Sequence, residues 1–502
     1  MVGMAWALLL YQPWRDLPFD TLNFAELIPL LRAHDSLLSR FVALTEYHAR
    51  EQGRIALLVY AGTAAKWSLF GAHPVGWQLS RFALMCAVVA GAYLLLRRLG
   101  NGGGASAAGA ALFVCASSTH EAWVRLIMGE PLGTALLIGA ALLATRYQEA
   151  RRWRALAVAI ALLLVGVLFT KEVMVAAIPF VLLVGWCRQP SGLLARPRLT
   201  RRNVWLAAAV AALVIPALAV IAVVAMHAPA QGFSSSYRTG ALSAGRLAMN
   251  LFTAGAPVLP VFPPFLANLA IALFLYLGVV AIGVRVALER REEREHAALV
   301  LAAAASLLLL GATAYMPWPY FQRYYALPLL LAPAMLVALA VDALRRAGKG
   351  TAVAAYAAVA ALCLALSAQA RWYAADAAAR QRLNAGLVRQ LAARPGADSL
   401  LVASRRELAF AWLGTGPILQ RYAAAVGTGE LPPAADISCA RGDSLARAGT
   451  AAALLVSYAG DCDLATPAPV VLSQRFRYIH TPSLRLRTDS VQASIYPPEP
   501  RR

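Results

Sequence analysis

The sequence predicts an all-α polytopic membrane domain of about eleven transmembrane helices, residues 1–369, followed by a small extracytoplasmic α/β or α+β domain, residues 370–502. Three observations predict it. Of 502 residues, 60% are hydrophobic and only 14% charged, a composition that excludes a cytosolic enzyme. The positive mean hydropathy of +0.61 comes from long uncharged runs, and those from Val204 to Met226 and Leu266 to Gly283 are long enough to cross a bilayer. Finally, the net charge of +21 would suggest nucleic acid in a soluble chain, but the arginines cluster in alternate connectors, which points to topology and to no nucleic-acid partner.

Taken in order, the apolar runs are 1–11, 82–98, 105–118, 131–145, 155–170, 173–187, 204–226, 266–284, 297–314, 326–343 and 351–368. Arg97/Arg98, Arg146 to Arg154, Arg188 to Arg202, Arg285 to Arg294 and Arg345 to Lys349 fall in every second connector, so these five face the cytoplasm. The connectors 12–81, 119–130, 171–172, 227–265 and 315–325 then face outward, and an odd number of spans leaves the C-terminus outside. The expected location is the cytoplasmic (inner) membrane. The first run, Met1 to Tyr11, covers about 17 Å at roughly 1.5 Å per residue against a hydrocarbon core of about 30 Å, so the start reads as truncated. It lacks the basic region and small-residue cleavage site of a secretory signal. The runs 105–118 and 131–145 are also short, and as an in–out pair they can be lost together without changing the sidedness of the other spans.

Beyond Leu366 the composition turns soluble. A helix around Ala375–Ala393 and β-like runs at Ser399–Ser404, Ala452–Tyr458 and Val470–Gln474, with a hairpin within Leu484–Tyr496, make up the outer domain. Its two cysteines, Cys439 and Cys462, can pair in an oxidising compartment, although spacing alone leaves free thiols as an equal alternative. Gly102–Gly104 reads as a flexible cytoplasmic turn. There is no Walker sequence, dinucleotide fingerprint, paired CxxC or HExxH, and nothing suggests haem or zinc.

Candidate chemistry lies at the outer face, where ionisable groups near a membrane are costly. The long first connector carries Asp16, Asp20, Glu26, His34, Asp35, Glu46, His48 and Arg54, then a stretch 55–70 that, with Lys66, Trp67, Phe70 and Trp77, is expected along the interface. The second carries His120, Glu121, Arg125 and Glu130; Glu121 and Arg125 are i and i+4 and can form a plain helix-end ion pair. The third is the doublet Lys171-Glu172, which can simply mark the membrane surface. The fifth sets Arg323 beside Tyr324 among aromatics suited to an interfacial belt or a sugar face. Carboxylates and cations on one side of one membrane suit group transfer from an anionic lipid donor: a carboxylate deprotonates a hydroxyl or holds a divalent ion, and cations neutralise a phosphate leaving group.

The order of these features resembles the GT-C superfamily of polytopic glycosyltransferases, and most nearly its protein O-mannosyltransferase branch. Four segments carry the resemblance: Trp67-Ser-Leu-Phe-Gly-Ala-His-Pro74 after the acid-bearing first loop, His120-Glu121-Ala-Trp-Val124 with Gly129-Glu130, Thr170-Lys171-Glu172 leading to Pro179, and Arg323-Tyr324-Tyr325 with Leu327-Pro328. The resemblance implies a polyprenyl-phosphate-linked sugar donor, Asp20 or Asp16 as catalytic acid residue with Glu121 from the second loop, and Lys171 and Arg323 at the donor phosphate. His120, Glu130, Glu172 and Tyr324 are the further substrate contacts. The adjacent acidic pair often found after the first span in that superfamily is replaced here by the separated Asp16 and Asp20.

The expected function is transfer of a sugar from the lipid donor to a lipid, glycan or protein acceptor. A transporter of lipid-linked glycans and an inactive scaffold of the same fold are the alternatives. The first needs polar residues along the spans, which these runs mostly lack; the second is kept open by the missing acidic pair.

Overall fold

The computed structural model describes residues 24–71, 73–116, 129–187, 200–227, 266–312, 328–394, 396–404, 416–426, 430–449, 453–480 and 485–498. The first connector is a folded unit of short helices, Phe24–Arg32 (α1), Leu37–Gln52 (α2) and Leu57–Phe70 (α3). Ser36 and Ser39 close a reciprocal capping box at the start of α2, and Gly53 ends it in the left-handed region at φ 62°, where a side chain would be strained. Membrane-type helices follow: Pro74–Arg98 (α4), Gly103–Cys115 (α5), Gly129–Ala144 (α6), Trp153–Leu168 (α7), a 3-10 turn at Glu172–Ala177 leading into Ile178–Cys187 (α8), Arg201–Met226 (α9), Leu266–Glu289 (α10), Arg291–Ala312 (α11), Leu331–Ala347 (α12) and Lys349–Ala392 (α13).

The described part of each expected span from 82–98 onward falls mainly on a helix, 173–187 being divided between the 3-10 turn and α8, while the run 1–11 lies outside the described residues. Among the described residues, four segments are long and apolar enough to cross a membrane by themselves: Val75–Arg98, Arg201–Met226, Ala272–Glu289 and Lys349–Ala368. Their flanks carry apolar side chains outward, with Phe274 77% and Leu364 73% exposed, as expected of a lipid-facing surface.

Helix packing relies on small residues, since apolar side chains gain little by leaving lipid for one another. A Cβ on Gly109 would overlap the Ala334 carbonyl, and one on Gly283 would overlap Ala340, so α5 and α10 both lie close against α12. At the arginine-rich end of the bundle, buried Asp342 of α12 accepts from the Gly102 N–H at 3.2 Å and lies 3.1 Å from Arg345, and Arg346 reaches Glu293 at 3.1 Å. Gly102–Gly104 is therefore held, correcting the flexible turn expected there: Gly103 and Gly104 already belong to α5.

Helix α13 runs without a break from the membrane-type stretch into the C-terminal sheet domain, so the expected span 351–368 and the separate helix near 375–393 are one element, and residue 369 lies inside it. The sheet has the order β2-β1-β3-β5-β4, with Ser399–Ala403 (β1), Ala434–Ile437 (β2), Ala453–Tyr458 (β3), Val470–His480 (β4) and Arg485–Tyr496 (β5). β2, β1 and β3 are parallel; β5 is antiparallel to β3 and to β4. The hairpin is thus β4 with β5, paired from Val470↔Ile495 to His480↔Arg485, and not a turn within Leu484–Tyr496, of which Arg485–Tyr496 is one strand. Leu383, Leu387, Val388, Leu400, Leu454, Val456 and Ile495 form the domain core between α13 and the sheet. Gly416–Val426 (α14) covers that core and also packs on α1, where Arg32 donates to the Ala424 carbonyl at 3.1 Å. Cys439, opening Cys439–Ala448 (α15), is joined to Cys462 by a disulfide with a Cα separation of 5.5 Å.

Candidate functional site

Three segments meet at the end of the bundle nearest the sheet domain: the start of α3, the turn from α7 into the 3-10 helix, and the start of α6. The Leu58 N–H donates to the Phe169 carbonyl at 3.2 Å, tying the first two together. Gly129 and Gly133 bring α6 against the turn, since a Cβ on Gly129 would overlap the Thr170 carbonyl and one on Gly133 would meet the Thr170 hydroxyl and the Met174 sulfur.

That approach places Glu130 and Lys171 in contact. Lys171 Nζ lies 3.2 Å from Glu130 Oε1, with side chains only 12% and 3% exposed. Glu172 follows, partly buried. Burial would raise its carboxyl, but the nearby Arg54 guanidinium and the Lys171 ammonium outweigh it and hold Glu172 below the ordinary value. Arg54 also lies near Tyr60, whose phenol burial pushes upward, and near His48, whose imidazole burial pushes downward. The His48 ring is tilted against Tyr60 at 4.5 Å, and its Nδ1 lies 2.9 Å from the Leu44 carbonyl, which fixes a proton there. Arg54, Glu172, Lys171 and Glu130 thus form a chain of alternating sign.

The second cluster is different in kind. Lys66 of α3 sits beside Arg81 of α4, with Nζ 5.5 Å above the Trp77 ring. Burial, reinforced by the Arg81 charge, pushes the Lys66 ammonium down to about 8. Trp77 is fully buried and donates from its indole to the Gly71 carbonyl at 3.0 Å. Trp67 and Trp77 pack with Leu27, Ile28, Leu31, Leu44 and Tyr60 and so line the core of the first-loop unit.

Of the residues singled out in the sequence, Glu130, Lys171 and Glu172 are brought together; Asp16, Asp20, His120, Glu121, Arg323 and Tyr324 lie outside the described residues. Sequence reasoning missed Tyr60 and Arg81. Arg81, seven residues after Pro74 in an otherwise apolar helix, carried the one usable signal, a charge placed where lipid would penalise it. Among the described residues no three His, Cys, Asp or Glu side chains converge as a metal site.

No family model matches the chain, and no curated protein is similar to it in sequence. Among solved structures, ArnT from Cupriavidus metallidurans in the apo state is 16% identical over 98% of this chain and 97% of its own, with a TM-score of 0.50. The same protein bound to undecaprenyl phosphate gives 0.47 at 13% identity over 98% and 96% of the two chains. The arabinofuranosyltransferase AftD from Mycobacteria also gives 0.47, at 15% identity over 92% of this chain and 35% of its own. The likeness to apo ArnT, spanning nearly the whole of both chains, is one of fold, apolar helices followed by a C-terminal mixed sheet, and it does not single out the protein O-mannosyltransferase branch.

Proposed function

We propose that this protein is a membrane glycosyltransferase that moves a sugar from a polyprenyl-phosphate donor to a lipid, glycan or protein acceptor at the outer face of the cytoplasmic membrane. The observation that carries the proposal is the fold likeness to apo ArnT across nearly the whole of both chains; the cations Lys66, Arg81 and Lys171 are then the groups offered to a lipid phosphate. A phosphate that reaches these cations from within the bilayer accounts for a sequence without nucleotide-sugar motifs. The fold likeness to ArnT, a protein that binds undecaprenyl phosphate, is consistent with this reading.

In the proposed reaction the acceptor hydroxyl attacks the anomeric carbon. The bond from that carbon to the phosphate oxygen breaks, and the sugar passes to the acceptor. The polyprenyl phosphate leaves with one more negative charge, which Lys66 and Arg81 stabilise together with Arg323, while Asp20 or Asp16 takes the hydroxyl proton, with Glu121 as the further catalytic carboxylate. Lys171 shares its charge with Glu130 and Glu172, so its part is to hold the phosphate in register between fixed carboxylates. His120 and Tyr324 complete the substrate contacts, and a divalent ion, where one is used, takes the first-loop acids as donors.

The test is transfer of labelled sugar from polyprenyl-phosphate donors by the purified protein in lipid, wild type beside Asp16→Asn, Asp20→Asn and Glu121→Gln. Loss of turnover in one first-loop variant, with donor binding intact, is expected. Donor bound by the wild type without transfer to lipid, glycan or protein acceptors overturns the enzyme in favour of a transporter or scaffold.

A further inference from the structure

The outer domain carries a long basic ribbon whose direction is fixed by its packing on α13. Val470 and Leu472 near the start of β4 pack in the cluster of Leu383, Leu387 and Leu391, whereas Phe476 and Tyr478 pack on Trp372, Ala375 and Ala379. As β4 advances, its contacts therefore move back down α13 toward the membrane-type stretch that ends at Ala368. Trp372 lies four helical residues, about 6 Å, beyond Ala368. Its ring is 5.7 Å from that of Tyr478. Two more strand residues, at about 3.3 Å each, bring the pair His480 and Arg485 level with Ala368.

The ribbon therefore points its end at the membrane surface, and that end has the composition such a surface attracts. Arg475, Arg477, Arg485 and Arg487 are exposed along it, with Asp489 the acid among residues 475–480 and 485–490. Leu486 is 56% exposed opposite Ile479, an unfavourable place for it in water. Arginines flanking exposed aliphatic side chains match a layer of phosphate headgroups over acyl chains.

We propose that this end of the β4–β5 ribbon docks on the outer leaflet, its arginines holding the phosphates of anionic lipids and Leu486 entering the headgroup layer. Docking fixes the outer domain, and through α14 the helix α1 that follows Asp16 and Asp20, at a set height over the bilayer. The proposal rests on the membrane reading and not on the transfer reaction.

The test is hydrogen exchange of the full chain in nanodiscs of phosphatidylcholine alone and of phosphatidylcholine mixed with phosphatidylglycerol. Amides of β4 and β5 near the ribbon end are expected to exchange roughly tenfold more slowly in the mixed lipid, with β1 and β3 unchanged as the control for folding. Arg475→Gln, Arg477→Gln and Arg485→Gln together should abolish the difference, and Leu486→Ser should reduce it. Arg487 is left intact because it contacts the Tyr478 hydroxyl. Equal exchange in the two lipids, or slowing that survives the arginine replacements, overturns the proposal.

Discussion

Lys66 and Glu130 show how two charged side chains in similar settings take opposite roles. Burial, with the Arg81 charge adding to it, lowers the affinity of Lys66 for its proton, so an anionic ligand bound there should weaken as pH rises through about 8 and the ammonium discharges. Binding of polyprenyl phosphate measured across that range should fall in the wild type and stay flat in Lys66→Arg. Folding stability should move the other way, because the unfolded lysine, near 10.5, binds the proton that the folded one releases, and stability gains as pH rises from about 8 toward that value. Glu130 instead neutralises Lys171 in a nearly closed setting. Glu130→Ala should cost about 3 kcal/mol by removing the carboxylate in contact with the mostly buried Lys171 ammonium, and adding Lys171→Met should recover most of it. Thermal unfolding of the two variants checks this; a double variant no more stable than the single one would contradict it.

Among the elements, α6 depends on its glycines. Gly129→Ala should push the helix away from Thr170, separate Glu130 from Lys171, and lower stability by about 1–3 kcal/mol, read as a fall in Tm together with weaker donor binding. In the C-terminal sheet domain the Cys439–Cys462 link spans 23 residues, and Cys439→Ala with Cys462→Ala should cost about 3 kcal/mol of that domain's stability, measured by denaturant unfolding with and without reductant. The helices were legible because uncharged runs have few other uses. The β4–β5 hairpin was not: β4 alternates Arg475, Phe476, Arg477 and Tyr478 between solvent and Trp372, and the exposed arginines broke the apolar pattern that would have extended the strand past Gln474. The arginines also lie on an edge strand, where charge discourages pairing with a second chain.

At the scale of the whole molecule, the alternation of basic connectors anticipated an antiparallel bundle, and the contacts joining Gly102, Glu293, Asp342 and Arg346 bring three of those connectors to one end. Cytoplasmic and periplasmic reporters fused at Gly348 and Arg502 should give opposite signals, as α13 carries the chain from that end to the sheet domain. The site was only half legible. Lys171, Glu172 and Glu130 stand out as charges between apolar runs, but the approach of Lys66 to Arg81 depends on how α3 folds back on α4, which no local pattern states. The measurement that tests the central claim most directly is equilibrium binding of undecaprenyl phosphate and of undecaprenol to the full chain in nanodiscs, wild type beside Lys66→Ala and Arg81→Ala. Binding that requires the phosphate and weakens roughly tenfold or more in each variant is the predicted result. Equal binding of the phosphate and the alcohol, or variants that bind as the wild type does, would contradict it.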